Sequence, residues 1–479
     1  MGEALITDHK SGISKDQAEA DSGWIFAALL AIIALAPLPL GSNRPLPMAL
    51  LCACLGLLII IWSANWTINR AASHRHFRDL KWALLTYLLV SLWILIQAVP
   101  GVPVWFADPA WQSSGKLIGK SLSGHLSVNP SATLTGLMHL LGYASVFWLT
   151  FQLTPTPERA WRTIRAITWI GGAYALYGII VYISGNDWIV IYPKWTYTDS
   201  LTSTFVNRNS YATFAGLTLL CAIASWLNHF KPFFELKHPF RAKFVLVAEE
   251  IIAKAGFKTF AALTIALALL LSASRGGVAS TAIGLISFAL LYLRRRQMSA
   301  KQWCYLLIAA ILTTVIIFSA SGNHLSKRLP NEQVESSFDV RNEIYQTTWD
   351  AILISPWKGT GFGTFEDVFP AFRATDTGAL VHWGKAHNTY LENALELGLP
   401  AALLLNMAIG LVAIQCLRGA LTRRRHKLIP ALGVGATVLV GLHSLVDFSL
   451  QIPAVTILYA CIMGVATSQS WSEGKRATS

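Results

Sequence analysis

The feature of this chain that most constrains its fold is a series of apolar segments without charged residues, each long enough to cross a bilayer. A hydrocarbon core about 30 Å thick requires a helix of about 20 apolar residues. About twelve such segments can be delimited along the chain. Only 13% of the 479 residues are charged, against about 25% in soluble domains. The sequence therefore predicts an all-α polytopic membrane protein and excludes a soluble multidomain enzyme.

The predicted spans divide the chain into five parts. We expect a tail over residues 1–23, nine spans within 24–321, a long loop over 322–396, three spans within 397–467 and a tail over 468–479. The twelve predicted spans are Trp24–Leu40, Pro47–Trp62, Trp82–Val99, Leu134–Leu153, Ala166–Ile183, Tyr211–Phe230, Phe260–Ser272, Gly277–Leu293, Trp303–Ser321, Leu397–Leu417, Leu428–Val446 and Ile452–Thr467.

Lysine and arginine residues mark one side of the predicted bundle. Of the 38 in the chain, 26 fall in the two tails and in alternate loops, and cytoplasmic loops of membrane proteins are enriched in these residues. We therefore expect both tails in the cytoplasm, with Arg294–Arg296 and Arg423–Arg425 as stop signals. The net charge of +13 has the same explanation, so membrane lipids are expected partners and nucleic acid is not.

The opposite side of the predicted bundle carries most of the irregular sequence. Its loops are Pro100–Thr133, Ser184–Asn209 and residues 322–396. The last is far longer than the usual connection of about 4–6 residues, and it is rich in aromatic side chains. This composition favours a folded cap that contains helices. The aromatic residues are Trp349, Trp357, Phe362, Phe365, Phe369, Phe372 and Trp383.

Four groups of polar residues lie at predicted membrane edges on this side, where ionisable side chains are costly and often functional. They are Thr204–Tyr211, Ser272–Gly277, His387–Gly398 and His443–Phe448. Three of their members also have purely structural interpretations. Arg208 would snorkel to the lipid headgroups, Arg275 would close a hairpin turn, and His387 would be an ordinary loop histidine.

Two pairs within these groups have structural alternatives as well. His443 and Asp447 are four residues apart on one predicted helical face, so they would pair with each other. Asn393 and Glu396 are one turn apart and would cap or brace the cap helix.

The chemistry of these side chains fits a lipid diphosphate at a membrane surface. Guanidinium groups bind phosphate oxygens in a rigid bidentate geometry and keep their charge, which suits Arg208 and Arg275. Paired glycines after Arg275 let backbone N–H groups approach an anion. A neutral histidine takes a proton from a hydroxyl group near neutral pH, which suits His387. Because the sequence has no Asp-x-Asp pair and no His/Cys cluster with metal-ligand spacing, we expect a reaction without metal.

The motifs at these positions resemble those of the O-antigen ligase family. That superfamily also contains O-antigen and exopolysaccharide polymerases of the Wzy type and some protein O-oligosaccharyltransferases. The resemblance spans the chain from about Asn207 to Pro453. The motifs that carry it are Ser272-Ala-Ser-Arg275-Gly-Gly, Gly359-Thr-Gly-Phe-Gly363, His387-Asn388-Thr-Tyr390-Leu-Glu392, Glu396-Leu-Gly398 and His443-Ser-Leu-Val-Asp447.

The resemblance implies a glycosyltransferase of GT-C-like fold in the bacterial inner membrane, with a large periplasmic loop before the tenth helix. Such an enzyme moves a glycan from undecaprenyl diphosphate to a hydroxyl acceptor on the periplasmic side, without metal or other cofactor. Arg208 and Arg275 would bind the donor diphosphate, with Arg341 as a third phosphate contact. His387 would activate or orient the acceptor hydroxyl, its pKa lowered by nearby arginines. The remaining candidates for substrate binding are Asn388, Tyr390, Glu396, His443 and Asp447.

Three functions stay open at this stage. A ligase would use lipid A-core as acceptor, and a Wzy-type polymerase would use a second lipid-linked glycan. A transporter of the lipid-linked glycan is disfavoured, because many transporters have two similar halves with polar residues at the membrane midplane. Here no repeat is visible, and the polar residues cluster at one side.

Overall fold

The computed structural model describes residues 23–38, 40–68, 77–235, 240–294, 338–373, 383–423 and 425–471. The chain in these ranges is mostly helical, and a two-residue antiparallel ladder joins β1 (Trp188–Ile189) to β2 (Tyr192–Pro193). Its α-helices are α1 (Gly23–Leu35), α2 (Pro45–Ile68), α3 (Lys81–Ala98), α4 (Pro109–Ile118), α5 (Pro130–Leu153), α6 (Pro157–Ile183), α7 (Arg208–Glu235), α8 (Phe240–Glu250), α9 (Gly256–Leu271), α10 (Arg275–Leu293), α11 (Phe338–Ile354), α12 (Phe365–Val368), α13 (Thr389–Leu397), α14 (Leu399–Thr422), α15 (Leu428–His443) and α16 (Pro453–Ser468).

The apolar helices follow the predicted spans. Among the described residues, eight helical segments are long and apolar enough to cross a membrane, and α1, α15 and α16 are shorter apolar helices. Together they coincide with eleven of the twelve predicted spans. The ninth, Trp303–Ser321, lies outside the described residues, as do most of both predicted tails and residues 322–337 and 374–382 of the predicted cap. The all-α polytopic class is confirmed, while the number of spans stays a prediction.

Several helices extend beyond the predicted spans. Helix α6 begins at Pro157, so three arginines that were assigned to a loop (Arg159, Arg162 and Arg165) are helical. Most of the predicted loop between the sixth and seventh spans is helical too, because α8 continues into α9 through a π-helical turn at Ile251–Ala255. Long cationic side chains lie along a helix while their charged ends reach water. Charge therefore marks the bilayer edge but not the helix end.

Helix α7 is the most buried of the long helices in the described bundle. Of its most apolar 18-residue window, 83% is buried, against 22–39% in the other long apolar segments. It packs against α6, α9, α10 and α15. Burial inside a membrane bundle favours small and hydroxyl-bearing residues, because they permit close packing and hydrogen bonds between helices. Helix α7 accordingly brings Ser210, Thr213 and Thr218 into the interior.

Two glycines allow α10 and α15 to pack closely. A Cβ atom on Gly284 would lie 2.7 Å from the carbonyl oxygen of Gly435, and a Cβ atom on Gly435 would lie 2.8 Å from the carbonyl oxygen of Gly284. Backbone atoms cannot move aside as a flexible side chain can. The two helices must therefore separate if either glycine acquires a side chain.

We expect Gly284→Ala to lower the stability of the purified protein by about 1–3 kcal/mol, the usual cost of overpacking. Thermal unfolding in detergent, followed by tryptophan fluorescence, measures this effect. The matched control is Gly56→Ala in α2, because a Cβ atom at Gly56 meets nothing within 4 Å. The control should be neutral or slightly stabilising, since alanine is the better helix former. Equal melting temperatures for the two variants would contradict the packing argument.

The glycine-rich motif lies between α11 and α12 as a turn that closes the end of α13. Gly359, Gly361 and Gly363 all have positive φ angles, of 67°, 110° and 84°. The N–H of Thr360 donates to the carbonyl of Leu395 at 3.0 Å, and the N–H of Gly361 donates to a carbonyl one residue later at 2.9 Å. The last carbonyls of a helix otherwise lack partners. The motif thus holds the cap against the C-terminal end of α13.

Candidate active site

The end of α15 is the place where most of the predicted site residues meet. We call residues 443–449 the α15 corner. Thr389, at the start of α13, donates its N–H to the carbonyl of Ser444 at 2.9 Å and its hydroxyl to the carbonyl of Asp447 at 3.1 Å. Arg341 of α11 donates to the carbonyl of Val446 at 3.3 Å. Two helices of the cap, α11 and α13, are therefore attached to one corner of the membrane bundle.

His387 lies directly above this corner in a constrained conformation. Its φ angle is 53°, which is uncommon for a residue with a side chain and is found more often at functional sites. The imidazole ring stands edge-on to Trp383 and Phe448, with centroid distances of 5.7 Å and 4.9 Å. The Tyr345 hydroxyl donates to the His387 carbonyl at 2.9 Å. The ring is thus fixed between two aromatic side chains.

The surroundings of His387 favour the neutral form of its side chain. Burial lowers the pKa of His387 below its usual value, and the positive charge of Arg341 lowers it further, although the carboxylates of Asp447 and Glu392 oppose the shift. The expectation that arginines lower this pKa is correct in direction, but the arginine responsible is Arg341. A neutral imidazole is the form that accepts a proton.

Two buried polar atoms at this position lack hydrogen-bond partners among the described residues. They are Nδ1 of His387 and Nε of Arg341. Buried polar atoms are nearly always paired in native proteins, so each unpaired one requires an explanation. An unpaired imidazole nitrogen and an unpaired guanidinium N–H in one region favour a site for a hydroxyl group and an anion.

Arg208 and Arg275 are the first residues of two helices, α7 and α10. The side chain of Asn207 accepts hydrogen bonds from the first turn of α7, and the Ser274 hydroxyl oxygen accepts one from the N–H of Gly277 at 3.2 Å. Helix N-termini carry a partial positive charge that favours anions. Both arginines therefore stand where the helix dipole adds to their own charge.

The loop before α7 holds the Arg208 side chain. Its guanidinium donates to the Ser200 hydroxyl at 3.2 Å and lies 5.3 Å from the ring centroid of Tyr197. Ser200 is itself held, because Lys194 donates to its carbonyl at 2.7 Å. These contacts hold Arg208 within the protein, which argues against simple snorkelling.

The two glycines after Arg275 have a packing role. A Cβ atom on Gly276 would lie 3.2 Å from the His443 ring, and one on Gly277 would lie 2.5 Å from the Cβ of Ala212. The glycines thus bring the start of α10 against α7 and the α15 corner. The segment is also the tight connection between α9 and α10, as the hairpin interpretation expected, with Ala273 at a φ of 54°.

His443 and Asp447 are joined through other residues and not by a bond to each other. Helix α15 ends at His443, so the helical spacing on which the direct pairing depended is lost. His443 Nδ1 lies 2.6 Å from the Thr213 hydroxyl, which donates to Ser449 at 2.8 Å. Ser449 in turn donates to the Asp447 carboxylate. The direct ion pair is therefore wrong, and a buried chain of hydrogen bonds replaces it.

Two of the candidates for substrate binding, Asn388 and Tyr390, are held by bonds within the protein. The Asn388 side chain caps α13 by accepting from the N–H groups of Tyr390 and Leu391 at 3.0 Å and 3.1 Å. The Tyr390 hydroxyl donates to the carbonyl of Gly441 at 2.9 Å. These bonds give Asn388 and Tyr390 the task of attaching α13 to α15. Their role in substrate binding stays a prediction.

Glu396 faces the glycine-rich motif. Its carboxylate accepts from the N–H of Phe365 at 3.0 Å, and burial raises its pKa to about 8. The neighbouring carboxylate of Glu392 accepts from Lys385 at 3.2 Å and from the N–H of Ala386 at 2.8 Å. Glu396 thus braces the cap, as the structural alternative for this residue expected, and its role in substrate binding stays a prediction.

A different face of α15 borders an apolar cavity of about 620 Å³. Helices α13, α14, α15 and α16 line it, and Gly410 and Gly441 are among its smallest lining residues. A second cavity of about 380 Å³ is lined in part by Tyr345, and it shares Trp349 and Leu391 with the first. Tyr345, which lines the second cavity, is the residue whose hydroxyl donates to the His387 carbonyl.

Sequence reasoning missed the residues that connect the predicted ones. Tyr345, Thr213 and Ser449 were not singled out, and Asn209 was quoted within a motif but given no role. Asn209 donates to Asp447 at 3.2 Å and accepts from the Ser274 hydroxyl at 2.8 Å. The available signal was its place beside Arg208 at a membrane edge.

Comparison with known families covers the part of the chain that contains three of the candidate residues. Residues 260–406 match the family model described as O-antigen ligase, a range that includes Arg275, Arg341 and His387. The resemblance seen in the motifs is thereby confirmed, and it supports a function of the O-antigen ligase or polymerase type. No curated protein matches the chain.

Proposed function

We propose that this protein is an inner-membrane glycosyltransferase that moves a glycan from undecaprenyl diphosphate to a hydroxyl acceptor on the periplasmic side. The observation that carries the proposal is the buried, unpartnered Nδ1 of His387, which stands near the cationic Arg341. A neutral base and a cationic anion-binding group are the two parts that such a transfer needs. The family match of residues 260–406 is consistent with this chemistry.

In the proposed reaction the acceptor oxygen attacks the anomeric carbon of the donor glycan. The bond from that carbon to the diphosphate oxygen breaks, and its electron pair stays on the diphosphate. The imidazole of His387 takes the acceptor proton. Arg208, Arg275 and Arg341 neutralise the charge on the leaving group, with the N-termini of α7 and α10 adding to the field. The arginines thus neutralise the leaving-group charge that other transferases neutralise with a metal ion.

We further propose that the cavity of about 620 Å³ beside α15 receives hydrocarbon of a lipid-linked substrate. The cavity is lined mainly by apolar side chains of membrane helices, and it shares Trp349 and Leu391 with the second cavity, which Tyr345 also lines. A lipid anchor in this position leaves the attached sugar near His387.

Gly410→Phe is expected to reduce transfer about tenfold by raising KM for one lipid-linked substrate, equivalent to about 1.4 kcal/mol of binding. Gly410 borders the cavity, and a Cβ atom there meets nothing within 4 Å, so the ring enters the cavity without a backbone clash. Gly56→Phe in α2 is the matched control, because it also points into open space. Steady-state kinetics on the purified variants measures both KM values. Equal KM values for the two variants would remove the cavity from the substrate path.

The function itself is tested with purified protein in proteoliposomes, an undecaprenyl-diphosphate-linked glycan and lipid A-core. A single glycan joined to lipid A-core indicates a ligase. A ladder of lengthened lipid-linked glycans without lipid A-core indicates a Wzy-type polymerase. Movement of the donor across the bilayer without a new glycosidic bond would overturn the proposal in favour of a transporter.

A further inference from the structure

Asn209 joins the two helix N-termini that carry the arginines to the α15 corner. Its side-chain nitrogen donates to Asp447 at 3.2 Å, and its side-chain oxygen accepts from the Ser274 hydroxyl at 2.8 Å. Asp447 and Ser274 are almost fully buried, with 0% and 2% of their surfaces exposed. The three residues come from α7, the start of α10 and the α15 corner, which are far apart in the sequence.

The direction of each hydrogen bond is fixed by its partners. A carboxylate only accepts, so the NH₂ group of Asn209 must face Asp447. The Ser274 oxygen accepts from the N–H of Gly277 at 3.2 Å, and its single proton is directed to the Asn209 oxygen. On its other oxygen, Asp447 accepts from Ser449. Every hydrogen bond in this series is therefore donated in the direction of Asp447. A side chain at position 209 that cannot both donate to Asp447 and accept from Ser274 interrupts the series.

The chain of bonds sets where α10 begins. Ser274 is the N-cap of α10 and precedes Arg275 directly, while Ala273 before it has a φ of 54°. The same Ser274 hydroxyl thus caps the helix and ties it to Asn209. The α15 corner at the other end of the chain also anchors Thr389 and Arg341. A shift of the Asn209 amide therefore moves Arg275 relative to His387.

We propose that Asn209 is a positioning residue that sets the place of Arg275 relative to the α15 corner and His387. The inference rests on the proposed function, because its effect is on transfer by Arg275 and His387. A misplacement of about 1 Å can cost on the order of 10²-fold in rate. The side chain of Asn209 needs no contact with substrate for this role.

A double-mutant cycle tests the inference. Asn209→Ala is expected to lower kcat/KM about tenfold per folded molecule. In an Arg275→Lys background the same substitution should lower it less than threefold, because the geometry that Asn209 maintains is already lost. Equal factors in the two backgrounds, or unchanged kcat/KM in Asn209→Ala alone, would overturn the inference.

A control variant that loses a helix N-cap separates an effect on positioning from an effect on stability. Asn129 caps α5 by accepting from the N–H of Ala132 at 3.1 Å. Asn129→Ala should therefore lower the melting temperature while kcat/KM per folded molecule stays unchanged. If Asn209→Ala shows only that behaviour, its role is structural and the inference fails.

An exchange of the two side chains gives a second check. Asn209→Asp alone places two carboxylates against each other, and we expect at least a tenfold loss. Asn209→Asp combined with Asp447→Asn restores every bond, because the carboxylate at 209 then accepts from Ser274 and from the amide at 447. Recovery of activity above that of Asn209→Asp supports the inference, and a further loss contradicts it. Absence of transfer by the unaltered protein would overturn the proposed function instead.

Discussion

Replacement of His387 by asparagine is expected to lower kcat by about 10²–10⁴-fold, the usual contribution of a general base. Asparagine is the appropriate substitute because it tolerates a positive φ, and His387 has a φ of 53°. Loss of the base is then not confused with backbone strain. Donor binding, measured with the lipid-linked glycan alone, should change little because the arginines remain.

The pH dependence of kcat provides an independent test of the same role. His387 acts when neutral, and burial lowers its pKa below the usual value. Activity should therefore persist at pH 6.5 and decline only as the pH falls through the lowered pKa. Arg341→Gln removes a charge that contributes to the lowering, so the acid decline should move to higher pH. An acid decline of kcat at the same pH in Arg341→Gln as in the unaltered protein would contradict the coupling between the two residues.

A glutamine at position 387 separates two roles of His387. Glutamine donates and accepts hydrogen bonds but takes no proton at neutral pH. Retention of most activity in His387→Gln would make the residue an orienting group for the acceptor. Loss of donor binding in His387→Asn would place it in the diphosphate site instead.

Arg275→Lys is expected to reduce transfer on the order of a hundredfold while membrane abundance stays normal. Lysine keeps the charge but loses the bidentate geometry, and a charge-assisted bidentate contact contributes a few kcal/mol. Arg275 is exposed at the first residue of α10, so the substitution leaves the core unaltered. Steady-state kinetics with the diphosphate-linked donor, together with immunoblots of membranes, measures both quantities.

Comparison with alanine distinguishes geometry from charge at Arg275. Equal losses for Arg275→Lys and Arg275→Ala indicate that the geometry of the guanidinium matters most. The control is Arg162→Ala, because Arg162 is an exposed arginine of α6 on the predicted cytoplasmic side. Activity of Arg275→Ala as high as that of this control would remove Arg275 from the donor site.

The sequence alone determined the class of fold and the position of most apolar helices. A bilayer requires an uninterrupted apolar segment with its backbone hydrogen bonds satisfied internally. That requirement concerns consecutive residues, so the sequence of each span is enough to identify it. The same locality explains why residues at membrane edges, such as Arg208, Arg275 and His387, stood out, since an ionisable group there is unusual in its immediate surroundings.

Only the tertiary structure decided which polar residues act together. Asn209 and Asp447 are separated by 238 positions along the chain, and no local periodicity indicates that they are bonded. Glu396 and Phe365, which are 31 positions apart, are likewise joined by a hydrogen bond that no local pattern indicates. Hydrogen bonds require particular atoms within about 3 Å of each other, whereas hydropathy requires only the right kind of residue in the right segment. The spans are therefore determined by local sequence, whereas the site forms only where the fold packs distant segments together.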